Sequence, residues 1–205
     1  MTDKLARAKL ARAAAALNAH SGSTLPALVL MTDDERLDDP VAAARALPHG
    51  SMVIVRARHD ARRAKLAGQL RGIARARQLK LLIANDAGLA VRVGADGIHL
   101  SQSQARQAAH WRALHPRWII TAAAHSLSAC RIRDADALLV APVFATASHP
   151  GANTLGPVRL RIIARQSPRP LYALGGVDAV TATQLSGARL VGFAAIGALA
   201  ARAVP

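Results

Sequence analysis

Eight short, almost unbroken apolar runs recur from Leu25 onward, each separated from the next by a segment with helical patterning. They lie at 27–32, 51–55, 80–84, 97–100, 118–123, 137–141, 170–174 and 190–193. None alternates polar with apolar residues, which is the pattern of strands covered on both faces, as parallel strands are. Helices are expected between them at 40–46, 60–77, 88–93, 103–114, 126–133, 157–164, 179–186 and 196–201, with Asp60, Ser103, Ser126 and Asp178 as N-caps. Repeated strand-then-helix units allow either a closed barrel or a doubly wound sheet. The second needs a glycine-rich turn after its first strand, and Met31-Thr32-Asp33-Asp34-Glu35-Arg36 contains no glycine. The glycines come late, at Gly175-Gly176 and Gly192, where (β/α)8 barrels commonly build a phosphate site. The expected fold is therefore α/β, a single (β/α)8 TIM barrel, with helices kept short by a length of 205 residues.

Residues 1–20 are rich in Ala and Arg, carry Asp3, and lack both a compact apolar stretch and a small-residue cleavage site. An extra amphipathic helix ahead of the barrel fits them better than a targeting peptide. Ser21-Gly22-Ser23 then ends it, dividing the chain into a helical extension (1–24) and a barrel (25–205). Hydrophobic residues make up 52%, enough for a packed core, and no apolar run approaches the ~20 residues of a membrane helix. The one cysteine, Cys130, excludes an internal disulfide, and the cytoplasm is the expected compartment. A net charge of +15 raises the question of nucleic acid. Aromatic residues are only 2%, too few for a base-stacking platform, and no zinc-ligand spacing or RNA-recognition signature is present. The arginines read instead as a solvated exterior that attracts small phosphorylated ligands. Neither nucleic acid nor membrane is an expected partner, and a homo-oligomer is left open.

In a barrel of this kind the chemistry sits at the carboxyl ends of the strands. Arg56 and Arg58 follow the second run on the same side of an extended chain, where two guanidiniums can clamp a phosphate or pyrophosphate. Asn85-Asp86 follow the third run, an amide and an oxygen ligand for a divalent cation, or else caps for the next helix. His125 follows the fifth run among small residues and suits a proton shuttle, with His99 at the end of the fourth as its rival. The sixth run leads into Pro142-Val143-Phe144-Ala145-Thr146-Ala147-Ser148-His149-Pro150-Gly151, a loop able to wrap an anion or close as a lid. Backbone N–H groups at Gly175-Gly176, and at Ala194-Ala195 opening the last helix, would hold a monoester phosphate.

Together these segments resemble the thiamin phosphate synthase/TenI family. Leu28-Val29-Leu30-Met31-Thr32-Asp33 is similar to its L-Y-L-I-T-D opening strand. Leu82-Ile83-Ala84-Asn85-Asp86 and Val93-Gly94-Ala95-Asp96-Gly97-Ile98-His99-Leu100 are similar to its I-N-D and G-A-D-G-V-H-L block. Ala124-His125-Ser126-Leu127, Pro142-Val143-Phe144-Ala145-Thr146 and Ala173-Leu174-Gly175-Gly176-Val177 follow in the family's order. The resemblance implies ligands that are phosphorylated thiazoles or pyrimidines. It also implies magnesium as the cofactor of a synthase joining a pyrimidine pyrophosphate to a thiazole phosphate. It maps ligand contacts onto Arg56, Arg58, Asn85, Thr146, Ser148 and His149, and a metal ligand onto Asp86.

The departures fall mainly on one half of that site. The expected glutamine is Ile54, the second metal carboxylate is Gln104, a serine is Ala123 and a lysine is His149. Replacing a carboxylate by an amide removes a charge from a magnesium site, and histidine is a weaker fixed cation than lysine at neutral pH. The resemblance therefore leans to a TenI-like protein that binds a thiazole phosphate, with His125 as general acid/base. A divergent, active thiamin phosphate synthase is the alternative, and a non-catalytic ligand-binding or regulatory barrel is the reading from another class.

Overall fold

The computed structural model describes residues 3–146, 151 and 153–200. Its strands are β1 (Leu28–Met31), β2 (Met52–Val55), β3 (Lys80–Ala84), β4 (Gly97–Leu100), β5 (Ile119–Ala124), β6 (Ala137–Val140), β7 (Leu171–Ala173) and β8 (Gly192–Ala195). All are parallel, pair in sequence order, and close through β1 and β8 into a barrel. The helices are α1 (Asp3–Ser21), α2 (Pro40–Arg45), α3 (Asp60–Ala76), α4 (Ala87–Val93), α5 (Ala108–Leu114) and α6 (Gly156–Gln166). Among the described residues no helix is long and apolar enough to cross a membrane.

Strand alternation sorts the apolar residues into two sets. Val29, Met31, Met52, Ile54, Leu82, Ala84, Leu139 and Tyr172 fill the barrel interior. Their neighbours Leu30, Val53, Ile83, Ile98, Ile120 and Leu138 face outward under the helices. Burial on both faces is why the runs read as continuous. Leu10, Ala14 and Leu17 join α1 to the outer layer. Asn18 Nδ2 of the same helix donates to Leu25 O (3.0 Å) and Val191 O (3.1 Å), tying it to the starts of β1 and β8.

Several helix expectations are corrected. The described residues of the segments 126–133, 179–186 and 196–201 form only 3₁₀ turns, at Ala129–Arg131, Thr181–Leu185 and Gly197–Leu199, and residue 201 lies outside the described residues. The tighter 3₁₀ turn, common as a short connector, takes the place of an α-turn in each. The segment 103–114 begins as 3₁₀ (Gln102–Gln107) before α5. His59, not Asp60, is the N-cap of α3, whereas Asp178 does accept from Val180 N and Thr181 N at 2.8 Å. Strand β8 lies two residues later than expected, because Leu190-Val191 are buried before pairing starts.

The Gly94–Gly97 block has a structural reason. Gly94 ends α4 in the left-handed region at φ +64°. Asp96 accepts from Leu81 N at 3.0 Å. A Cβ at Gly97 would overlap Ile119 O of the neighbouring strand, and Gly192 meets Ala27 O in the same way at the closing seam. Gly192→Ala should therefore cost about 3 kcal/mol or more in urea unfolding, because the obstacle is backbone. Gly68→Ala, with open space around it in α3, should be neutral or stabilise by up to ~1 kcal/mol. Equal effects of the two substitutions would contradict the seam geometry.

Candidate active site

The mouth of the barrel collects the polar ends of β1 to β8. His125 follows β5 and is exposed. Its Nδ1 lies 2.8 Å from Ala141 O, and a carbonyl can only accept, so Nδ1–H is the donor. Its backbone N–H donates to Gln102 Oε1 at 2.7 Å. Backbone and ring are thus fixed from the β4 and β6 sides, and in the neutral ring Nε2 keeps its lone pair. No described residue occupies that atom.

His99, the rival, lies inside the barrel. It is 5% exposed, and its Nδ1 is 2.9 Å from Thr121 Oγ1. Burial, aided by the charges of Arg56 and His125, lowers its pKa to about 4. It stays neutral where most histidines begin to titrate.

The arginines after β2 are both paired. Arg56 forms an ion pair with Asp33, which also binds Arg36 at 2.7 Å. The Arg36 hydrogen bond, working against burial and helped by Glu35 N–H and the charge of Arg56, holds Asp33 down at about 2. Arg58 pairs with Glu35 at 2.7 Å between two exposed side chains, so this contact is worth little and is easily exchanged for a phosphate. The loop after β1 therefore carries the counter-charges of the loop after β2.

Asp86 meets the capping expectation. Its Oδ1 accepts from Leu89 N at 2.8 Å to start α4, and its Oδ2 is 3.2 Å from Arg63 Nη2. Asn85, at φ 54°, accepts from Ser101 N through its Oδ1 at 2.7 Å. Gln104 lies in the 3₁₀ turn after β4. Both oxygens of the one carboxylate are committed and the second donor is an amide. Among the described residues no group of three potential ligands forms. One carboxylate and one amide supply one charge fewer than the magnesium site that the resemblance implies.

Gly175 and Gly176 have φ 89° and 65° and pack under the β6 loop, where Gly175 would press a Cβ to 2.8 Å from Pro142 Cα. Phe144 N donates to Gly175 O at 2.9 Å and Thr181 Oγ1 to Gly176 O at 2.9 Å. Among the described residues no acceptor takes either glycine's N–H. The Thr146 hydroxyl is buried and also unpartnered among them. Ala194 and Ala195 belong to β8 rather than to a last helix. Ser148 and His149 lie outside the described residues.

Sequence reasoning missed four of these residues: Asp33 and Glu35 as counter-charges, Arg63 on Asp86, and Gln102 behind His125. Each acts through a contact between loops that are far apart in sequence. The polar stretch after β1 was the only local signal.

A family profile described as thiamine monophosphate synthase matches residues 28–199. The chain belongs to the thiamine monophosphate synthase family. It is 30% identical over 167 residues to the thiamine-phosphate synthase of Chloroflexus aurantiacus, covering 78% of this chain and 77% of that one. Over 148 residues it is 34% identical to the thiamine biosynthesis bifunctional protein ThiM/ThiE of Symbiobacterium thermophilum, 67% of this chain but 31% of that protein. The match to a relative in Aquifex aeolicus, 33% identical, spans 55% of this chain and 62% of that one. In fold the family member resembles the thiamine phosphate pyrophosphorylase of Pyrococcus furiosus, with a TM-score of 0.67 and 23% identity over 85% of this chain and 88% of that one.

The buried imidazole gives a pH test. His99 has the ordinary 6.5 in the unfolded chain and about 4 in the fold. Between those values the unfolded state binds more protons, so stability falls as the pH drops from 6.5 to 4. The loss should level off near 3 kcal/mol. His99→Gln should flatten that part of a urea-midpoint profile. An unchanged profile would place the titration elsewhere.

Proposed function

We propose that the chain is an enzyme of thiamin biosynthesis that binds a thiazole phosphate and moves a proton on it, with His125 as general acid/base. The observation that carries this reading is the fixed ring of His125. Nδ1–H is spent on Ala141 O, and Nε2 is left to take a ring-carbon proton and return one at another ring atom. Such a tautomerisation conserves atoms and charge and needs no leaving group. The phosphate would lie against the Gly175 and Gly176 N–H groups and the Thr146 hydroxyl, near the carboxyl end of β8 with Ala194-Ala195. Arg56, Arg58 and Asn85 would complete the polar rim.

The second reading is a divergent thiamin phosphate synthase, favoured by the names of the relatives. It needs cations around a departing pyrophosphate. The committed oxygens of Asp86 and the amide of Gln104 weigh against it.

Both reactions should be assayed on purified protein, with and without magnesium. Proton transfer on a thiazole phosphate should proceed without metal and fall by about 10²–10⁴ in His125→Ala. Thiamin phosphate formation should be very slow even with saturating magnesium. Brisk magnesium-dependent formation of thiamin phosphate would replace this reading by the synthase.

A further inference from the structure

Beneath His125, the floor of the barrel mouth carries the second imidazole. His99 is the next-to-last residue of β4, and its register partners are Ala84 on β3 and Thr121 on β5. Ala84 lies in the interior set, while Ile98, Leu100, Ile120 and Ala122 are in the outer set, so His99 and Thr121 point inward. Thr121 is fully buried, and its hydroxyl occupies His99 Nδ1.

The other ring nitrogen differs. Nε2 has no partner among the described residues, and it is not one of the sealed, unpartnered polar atoms there. The residue keeps 5% of its surface exposed. The inward residues nearest it are alanines: Ala84 beside it, and Ala123, partly exposed, one inward step beyond Thr121 toward the mouth. Methyl groups cannot compete for a hydrogen bond. Nε2 lies beside alanine methyls, with Thr121 on the other ring nitrogen and the charges of Arg56 and His125 nearby, and an imidazole kept neutral there can donate or accept according to its tautomer.

We propose that His99 Nε2 recognises the ring of the ligand, by a hydrogen bond to a heteroatom of an aza-aromatic phosphate whose phosphate is held elsewhere. With a thiazole as the ring, the proposal rests on the function given above. It assigns His99 to ring selection and leaves proton transfer to His125. A merely structural His99 would need only its bond to Thr121.

The two roles separate by substitution. Asparagine places a polar atom near imidazole Nδ1 and keeps the Thr121 bond, whereas glutamine reaches the position of Nε2. Binding of a thiazole monophosphate, an aminopyrimidine monophosphate and inorganic phosphate should be measured calorimetrically on the parent, His99→Asn and His99→Gln proteins. Circular dichroism should verify the fold of each. The preferred ring phosphate should lose about tenfold or more in affinity in His99→Asn and stay within about threefold in His99→Gln. Inorganic phosphate should bind all three alike.

If the pyrimidine rather than the thiazole monophosphate shows this pattern, His99 keeps its role and the thiazole function falls. The proposal is overturned if His99→Asn binds the ring phosphates as the parent does, or if His99→Gln loses affinity as His99→Asn does. It is also overturned if the parent binds neither ring phosphate better than inorganic phosphate.

Discussion

Closure of the sheet on itself is the constraint from which the rest follows. Strand β8 pairs with β1 in register from Leu28↔Phe193 to Leu30↔Ala195. That pairing is permitted by the missing side chain of Gly192 against Ala27 O. Asn18 seals the amino ends of both strands. A closed parallel barrel has no free edge, and it sends every carboxyl end to the same opening. His99, Thr121, His125, Arg56 and Gly175 are brought to one mouth by that geometry alone.

Electrostatic commitments then decide what the mouth can do. The charged groups at the mouth are paired, the exposed Arg58–Glu35 contact loosely enough to be exchanged for a phosphate. Asp86 serves α4 and Arg63, Arg56 serves Asp33, and Arg58 serves Glu35. Among the described residues the groups without a partner include two imidazole Nε2 atoms, two glycine N–H groups and one threonine hydroxyl. Backbone N–H groups and a hydroxyl suit a phosphate monoester, the ligand of the function proposed above.

The strands were legible in the sequence because burial on both faces leaves an unmistakable apolar run. Their ends were less so, since Leu190-Val191 are as apolar as the paired residues that follow. The late helices were over-read. The segment 126–133 has a cap residue in Ser126 but folds as a short 3₁₀ connector, which the same polar pattern also allows. In the site, His125 could be found because a lone imidazole among alanines at a strand end stands out. The alternative reading of Asp86 as a helix cap was visible too, and it is the one the geometry realises. What no local pattern carries is the contact between loops. Gln102 on His125 N–H, Asp33 on Arg56 and Arg63 on Asp86 join residues about 23 positions apart, and only folding makes them neighbours.

The proposed proton transfer depends on His125 being held with Nδ1 protonated and Nε2 without a partner among the described residues. Long-range ¹H–¹⁵N correlation of the histidine rings, with His125→Ala for assignment, measures this directly. In the neutral ring the nitrogen that carries the proton should be Nδ1, and the one with a lone-pair shift should be Nε2. The opposite tautomer would mean that Ala141 O does not fix the ring, and it would contradict the account.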